Sequence, residues 1–314
     1  MSVLRAQRRR LVGPAAIVAL ATILAACGAG MPTSVASAST PAATQSPSTS
    51  ATATAATPAA ATAASTAKAT AKVPGSPAAG SAVSSSSAVS AASTARPLAG
   101  LTIALDPGHN LGNSTHPRQI SKRVWVGFWK ECNTTGTATN SGYPEATFAW
   151  DVSLRVKREL ERLGARVVMT RNANTTSAWG PCVDYRGRFG KTQKAALKVS
   201  IHADGARSSG HGFHVIEPAY FRGYTSDIVK PSARLGAAMK TGLIAGGIGP
   251  SNYIRGAISV RKDLGTLNMS DIPTVITELG NMRNSHDAGL MKSSVGRQRY
   301  ANGVVRGIRL YLKR

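Results

Sequence analysis

No Phe, Tyr or Trp occurs in the first hundred residues of this 314-residue chain, and residues 28–99 are almost entirely Ala, Ser, Thr, Pro and Gly. A segment with so little large apolar surface cannot offset the conformational entropy lost on folding. Any packed core therefore has to be assembled from residues 97–314, a length that suffices for one sizeable domain. Charge divides the chain at the same place. All 14 acidic residues lie at or after Asp106, and residues 97–314 set them against 31 of the 38 Lys and Arg, a formal +17 within a whole-chain +24. That balance excludes an acidic disordered regulator.

The start of the chain reads as an export signal. Arg5, Arg8, Arg9 and Arg10 lead into an apolar run, Leu11 to Ala26, broken only by Gly13, Pro14 and Thr22. The run is short for a spanning helix, which needs about 20 residues. It ends in Leu24-Ala25-Ala26-Cys27, which resembles the bacterial lipoprotein signal, where the Cys is lipidated and becomes the new N-terminus. The resemblance implies a signal peptide over 1–26, a lipid anchor at Cys27 and the membrane as a partner. An uncleaved signal anchor, or cleavage after Ala26 with Cys27 incidental, is the alternative. Residues 27–98 then read as a disordered tether with an end-to-end distance of about 45–50 Å, and 99–314 as the folded domain. With Cys27 set aside, Cys132 and Cys182 form an even pair in an oxidising compartment, for which a disulfide is the default and two free thiols the alternative.

The folded part alternates strand-like and helix-like segments. Leu101 to Leu105 is an apolar run stopped by Asp106-Pro107-Gly108, and Glu145 to Leu163 carries Phe148, Val152, Val156, Leu160 and Leu163 on one helical stripe ahead of Gly164. Further strands are expected over 165–169, 197–201, 212–216 and 273–279, and further helices over 183–196, 233–243 and 298–312. This pattern predicts a single α/β domain with a twisted, mostly parallel or mixed sheet of about six strands flanked by helices. Ligands in such folds sit beyond the strand ends.

Four chemistry-bearing residues fall there. His109 follows the first strand, Glu145 opens the long helix, His202 ends a strand in Ser200-Ile-His-Ala-Asp204, and Glu278 ends the last in Thr277-Glu-Leu-Gly-Asn281. Two imidazoles and one carboxylate are the protein ligands of many catalytic zinc sites, with a further carboxylate free to take a proton. Spacing alone leaves the bland alternatives open: a single His after a strand is usually structural, and the macrodipole favours Glu145 at a helix start. Glu278 is harder to dismiss, because an ionised carboxylate in a buried strand is costly without a compensating partner.

Taken in order, Leu105-Asp-Pro-Gly-His109, Glu145, Val168-Met-Thr-Arg171, Ser200-Ile-His-Ala-Asp204, Thr277-Glu-Leu-Gly-Asn281 and the terminal Gly307-Ile308…Tyr311 resemble zinc-dependent N-acetylmuramoyl-L-alanine amidases of the Amidase_3 type. The resemblance spans essentially all of 97–314. It implies one Zn²⁺ held by His109, Glu145 and His202, with Glu278 as the catalytic glutamate. The reaction implied is hydrolysis of the amide joining the lactyl group of N-acetylmuramic acid to L-alanine, on peptidoglycan or its muropeptides. Asp106, Asp204 and Asn281 are candidates to support the ligands or face substrate, since a metal-bound His donates its other N–H to a carboxylate or carbonyl.

Two departures from the family pattern stand out. Residues 111–144 form a long polar stretch containing Trp125, Phe128, Trp129 and Cys132, expected as a loop over the groove and pinned to Trp179-Gly-Pro-Cys182 by the disulfide. Residues 203–277 look fully used by ordinary strands and helices, leaving no room for the inhibitory helix that some relatives insert there. His116, His211, His214 and His286 match no ligand position and read as structural or surface residues. The basic charge suits anionic wall polymers or lipid headgroups, and no nucleic-acid motif accompanies it. A monomer is the default. The rival readings are a zinc hydrolase of the same fold acting on another wall bond, and a non-catalytic wall-binding lipoprotein.

Overall fold

Short β-branched and aliphatic runs separated by amphipathic stretches produce the expected layers in the computed structural model, which describes residues 96–314. In chain order these are β1 (Thr102–Pro107), α1 (Pro117–Ile120), β2 (Arg123–Trp125), β3 (Trp129–Glu131), α2 (Glu145–Arg162), β4 (Arg166–Met169), α3 (Val183–Arg188), β5 (Lys198–Asp204), β6 (His214–Pro218), α4 (Val229–Ala245), β7 (Ile258–Arg261), α5 (Gly265–Asn268), β8 (Thr274–Asn281), α6 (Ser285–Lys292) and α7 (Ser294–Leu312). The main sheet has six strands in the order β4-β1-β5-β8-β6-β7. β1, β4, β5 and β8 run parallel, β6 is antiparallel to β8, and β7 is parallel to β6. The sheet is thus mixed, and the expected α/β fold holds.

Alternation along the strands gives the sheet two unlike faces. Ile103, Leu105, Val199, Ile201, Val215, Val275 and Leu279 point into one hydrophobic core, together with Phe148, Val152, Val156 and Leu160 of α2, Leu235, Met239 and Leu243 of α4, and Tyr300, Val304 and Ile308 of α7. The intervening positions, Asp106, Ser200, His202 and Glu278 among them, stand on the opposite face, where Ile216, Ile276 and Leu267 form a small aliphatic cluster. Three long helices therefore cover one face, and short elements cover the other.

Several boundaries differ from the sequence reading. Leu98 is fully buried in the core and donates its N–H to Leu163 O at 3.0 Å, so the folded region reaches back past residue 99 into the last residues assigned to the tether. One Leu in a low-complexity run carries no periodicity that would mark it. The helix expected over 183–196 ends at Arg188, where the buried Lys198 ammonium binds the carbonyls of Arg186, Gly187 and Phe189 and Gly190 turns the chain at φ 105°. The helix expected over 233–243 extends to Val229–Ala245, and that over 298–312 starts at Ser294 behind the Ser293 cap. The stretch 111–144 holds a 3-10 turn, α1 and the β2–β3 hairpin, and 203–277 is occupied by β6, α4, β7 and α5. No helix among the described residues is long and apolar enough to cross a membrane. The signal over 1–26, Cys27 and most of the tether lie outside the described residues.

Cys132 and Cys182 are joined, Cα to Cα 4.3 Å. Around the bridge, Val183 N–H donates to Cys132 O at 2.7 Å and the Asn133 amide to Pro181 O at 2.8 Å, so the hairpin loop and the start of α3 form one unit. The bridge closes a loop of 50 residues, and the chain-entropy model assigns such a loop about 4 kcal/mol. Urea denaturation of the Cys132→Ser/Cys182→Ser variant is expected to show a stability loss of about that size. An unchanged midpoint would remove the bridge from the stability of the fold.

Candidate metal centre and active site

β1 ends in a polar turn because Asp106 is fully buried there and must be met by donors. Thr170 Oγ1 donates to its Oδ1 at 2.6 Å, Ser200 Oγ to its Oδ2 at 2.6 Å, and Arg186 Nη1 to Oδ1 at 2.6 Å. Burial alone would raise the Asp106 carboxyl, but the Arg186 charge and the two hydroxyls outweigh it and hold the group well below the usual carboxylate range. The same guanidinium donates to Pro107 O at 2.6 Å, His109 O at 2.5 Å and Gly180 O at 3.1 Å. This clamp holds His109 in the left-handed region, φ 51°, a conformation that costs a residue with a side chain about 1–3 kcal/mol. Gly108 is required beside it, since a Cβ there would lie 2.4 Å from the His202 ring.

Three side chains converge on one point. Glu145, at the first position of α2, brings Oε1 to 2.8 Å from His202 Nδ1 and 3.3 Å from His109 Nε2, and one candidate ligand atom from each residue lies within 4.8 Å of the other two. Glu145 is buried, and the Thr137 N–H holds its Oε2 at 2.9 Å while its own N–H donates to Thr137 O at 2.9 Å. A Cβ on Gly136 would meet that Oε2 at 2.8 Å, so the backbone of this loop passes directly over the carboxylate. His109 Nδ1 lies 3.0 Å from Thr134 O, which fixes it as an N–H and leaves Nε2 as the ring atom turned toward Glu145. Burial opposes the charge on Glu145, yet the two imidazoles outweigh it and keep the carboxylate ionised.

This donor set fits a divalent ion. Two imidazoles, one of them oriented by the Thr134 carbonyl, and one restrained carboxylate are the donor types of catalytic zinc sites. Glu278 stands beside them as the β8 residue in register with His202. Its Oε2 is buried without a partner. Burial, with Glu145 and Asp204 adding like charge, pushes its carboxyl well above the usual range against a pull from Arg261. His109, His202 and Glu278 line a cavity of about 480 Å³ together with Trp129, Arg123 and Arg261.

The other expected residues are placed differently. Asp106 makes no hydrogen bond to either imidazole; it orders the turn through Arg186. Asp204 accepts from Tyr253 OH at 3.0 Å, and Asn281 donates to Arg207 O and Gly210 O at 2.8 and 2.7 Å, closing the loop after β5. The carbonyl that orients His109 belongs to Thr134, and the guanidinium that clamps its turn belongs to Arg186. Neither was found from the sequence: a backbone carbonyl leaves no mark, and Arg186 lies among the basic residues of a short helix that reads as solvated.

The N-acetylmuramoyl-L-alanine amidase family model, Amidase_3, matches residues 103–310. The chain belongs to this family. An N-acetylmuramoyl-L-alanine amidase of Mycobacterium tuberculosis is 40% identical over 224 residues, covering 70% of this chain and 90% of that protein. Among solved structures, the N-acetylmuramyl-L-alanine amidase of Mycobacterium smegmatis matches with a TM-score of 0.64 and 41% identity, covering 69% of this chain and 98% of that one. The apo form of the Mycobacterium abscessus enzyme matches with a TM-score of 0.64 and 40% identity over 68% of this chain and 100% of that one. The His/Glu/His cluster, Glu278 and the Arg186 clamp all lie within the matched span, so the amidase fold and the site coincide.

Breaking the Asp106–Arg186 pair tests how far the amidase site depends on it. Asp106→Asn is expected to lower unfolding stability by about 3–5 kcal/mol, because Arg186 is left buried without its counter-charge. The Asp106 contribution is fully present above the ordinary carboxylate pKa of about 4 and is lost as pH falls toward its lower folded value. Denaturation curves should therefore show a constant gap between wild type and variant above about pH 5 that narrows in acid. A gap under about 1 kcal/mol at neutral pH would contradict the assignment.

Proposed function

We propose that this chain is a zinc-dependent N-acetylmuramoyl-L-alanine amidase that cuts the amide between the lactyl group of N-acetylmuramic acid and the L-alanine of the stem peptide in peptidoglycan. The observation that carries the reading is that Glu278, whose buried Oε2 has no partner, lines one cavity with His109 and His202, the two imidazoles that converge with Glu145. Family membership supplies the reaction class. His109 Nε2, Glu145 and His202 Nδ1 would hold the ion. Zinc bound there supplies Lewis acidity toward water and toward the scissile carbonyl.

The chain's own residues account for the proton traffic. Glu278, as the carboxylate, accepts one proton from the attacking water while the water oxygen forms a bond to the carbonyl carbon. The C–N bond then breaks, and the same carboxyl delivers its proton to the departing α-nitrogen. The products are a free lactyl carboxylic acid and a stem peptide with a free L-alanine N-terminus. Burial of Glu278 suits both halves, since a carboxyl with a raised proton affinity takes and returns a proton more evenly near neutral pH.

The envelope setting is part of the same proposal. The basic leader and Leu24-Ala25-Ala26-Cys27 support export with a lipid anchor at Cys27, and the Ala/Ser/Thr/Pro-rich stretch that follows supports a tether between membrane and wall. The enzyme acts there as a monomer, and its excess of basic residues favours anionic wall material as its partner.

Glu278→Gln is expected to retain zinc and lose at least about a hundredfold in rate, the usual worth of a general base. His109→Ala and His202→Ala should lose both metal and activity. Mass spectrometry of digested muropeptides, with and without a chelator, decides the bond: intact stem peptides beginning at L-alanine are expected, only without chelator. Cleavage inside the peptide, or release of acetate, would transfer the site to another wall hydrolysis. Failure to take up zinc would point to a binding protein.

A further inference from the structure

β6 places His214 directly opposite Glu278 of β8 in an antiparallel pair. Residues so paired stand on the same face of the sheet with their Cβ atoms about 5 Å apart. Each carries a buried side-chain atom with no hydrogen-bond partner among the described residues, Nδ1 of His214 and Oε2 of Glu278. Buried polar atoms are normally paired. Here one potential donor and one acceptor are left over on facing residues, next to the reacting position.

Packing alone does not call for a histidine there. The next pair on the same face is Ile216 with Ile276, which closes a small aliphatic cluster with Leu267. An apolar residue at 214 would continue that cluster. Instead His214 is buried, its ring packed edge-on against Tyr253 at 5.9 Å between centroids, while the Tyr253 hydroxyl donates to Asp204. The charged and titratable groups around the pair are His202 and Asp204 of β5, Tyr253 in the loop before β7, Arg261 on β7 and Glu145 on α2. Burial, reinforced by Arg261 and opposed by Asp204, holds the imidazole toward its neutral form. A neutral ring has one N–H to give and one lone pair.

We propose that His214 is the positioning residue of Glu278: its Nδ1–H holds Glu278 Oε2 through one bridging water, so that the other carboxyl oxygen faces the reacting water. The proposal rests on the reading of Glu278 as proton acceptor and goes beyond it by assigning the group that aims it. His214 touches neither metal nor substrate. It forms no covalent bond and carries no proton through the reaction.

The test uses the whole chain, with zinc bound. His214→Phe, which keeps a ring and removes the donor, is expected to lower kcat ten- to a hundredfold with KM and zinc content unchanged, and His214→Gln, which restores a donor, to recover most of it. In a Glu278→Gln background the Phe substitution should cost less than twofold further. A merely structural histidine would give equal losses in both backgrounds and no rescue, and that result overturns the proposal. A readout independent of turnover is the imidazole ¹⁵N spectrum. His214 is expected to show a protonated Nδ1 whose resonance moves in Glu278→Gln; a protonated Nε2 with bare Nδ1, or no shift, overturns it even if His214→Phe fails to fold. Should the muropeptide products show a different bond being cut, the spectrum still reports on the pair, so the two failures are distinguishable.

Discussion

A buried Arg186–Asp106 ion pair, spread over four backbone carbonyls, is the interaction on which the site depends. The carboxylate ends β1 on the polar face of the sheet, and the guanidinium arriving from α3 binds it together with Pro107 O, His109 O, Gly180 O and Pro181 O. One side chain thereby ties the His109 turn to the disulfide-linked loop. Lys198, buried beneath it, binds the last carbonyls of α3 and so fixes where Arg186 can stand. Charged groups are buried here only because each is met by an opposite charge or by carbonyl oxygens.

The unlike faces of the sheet give that network its place. Helices α2, α4 and α7 take the apolar face and supply the stability of a large core. The opposite face is left to short elements, and its strand ends carry Asp106, His202 and Glu278 in neighbouring strands. Parallel strands put those ends side by side, which is how residues remote in sequence come to share one cavity. Glu145 joins them from the start of α2, where the helix terminus favours a carboxylate.

Much of this was legible in the sequence. The alternation of apolar strands with amphipathic helices marked the α/β sheet, and His109, Glu145, His202 and Glu278 stood at strand ends or helix starts where function is expected. The long stripe of α2 was legible because five apolar residues repeat at helical spacing. What was hidden depends on tertiary contacts. Helix α3 stops at Arg188 because Lys198, ten residues on, binds its carbonyls, and no local propensity encodes that. The β2–β3 hairpin and β7 are short; the outward positions of the hairpin carry Trp125 and Trp129, and β7 exposes Val260, so apolar residues do not mark the inward side. Arg186 reads as one more surface cation, Leu98 as part of a featureless run, and His214 as a structural residue until its strand is paired with β8. Asp106 was a candidate to support a ligand histidine or face substrate, and in the structure its carboxylate is met by Arg186, Thr170 and Ser200.

The central claim is that three side chains far apart in sequence share one divalent ion. Zinc-edge X-ray absorption on the purified protein tests it most directly. The account predicts one zinc per chain with two histidine nitrogens at about 2.0–2.1 Å and a carboxylate oxygen at about 2.0–2.2 Å, and loss of this signature in Glu145→Ala. Substoichiometric metal, or a spectrum without histidine nitrogens that persists in Glu145→Ala, would contradict it.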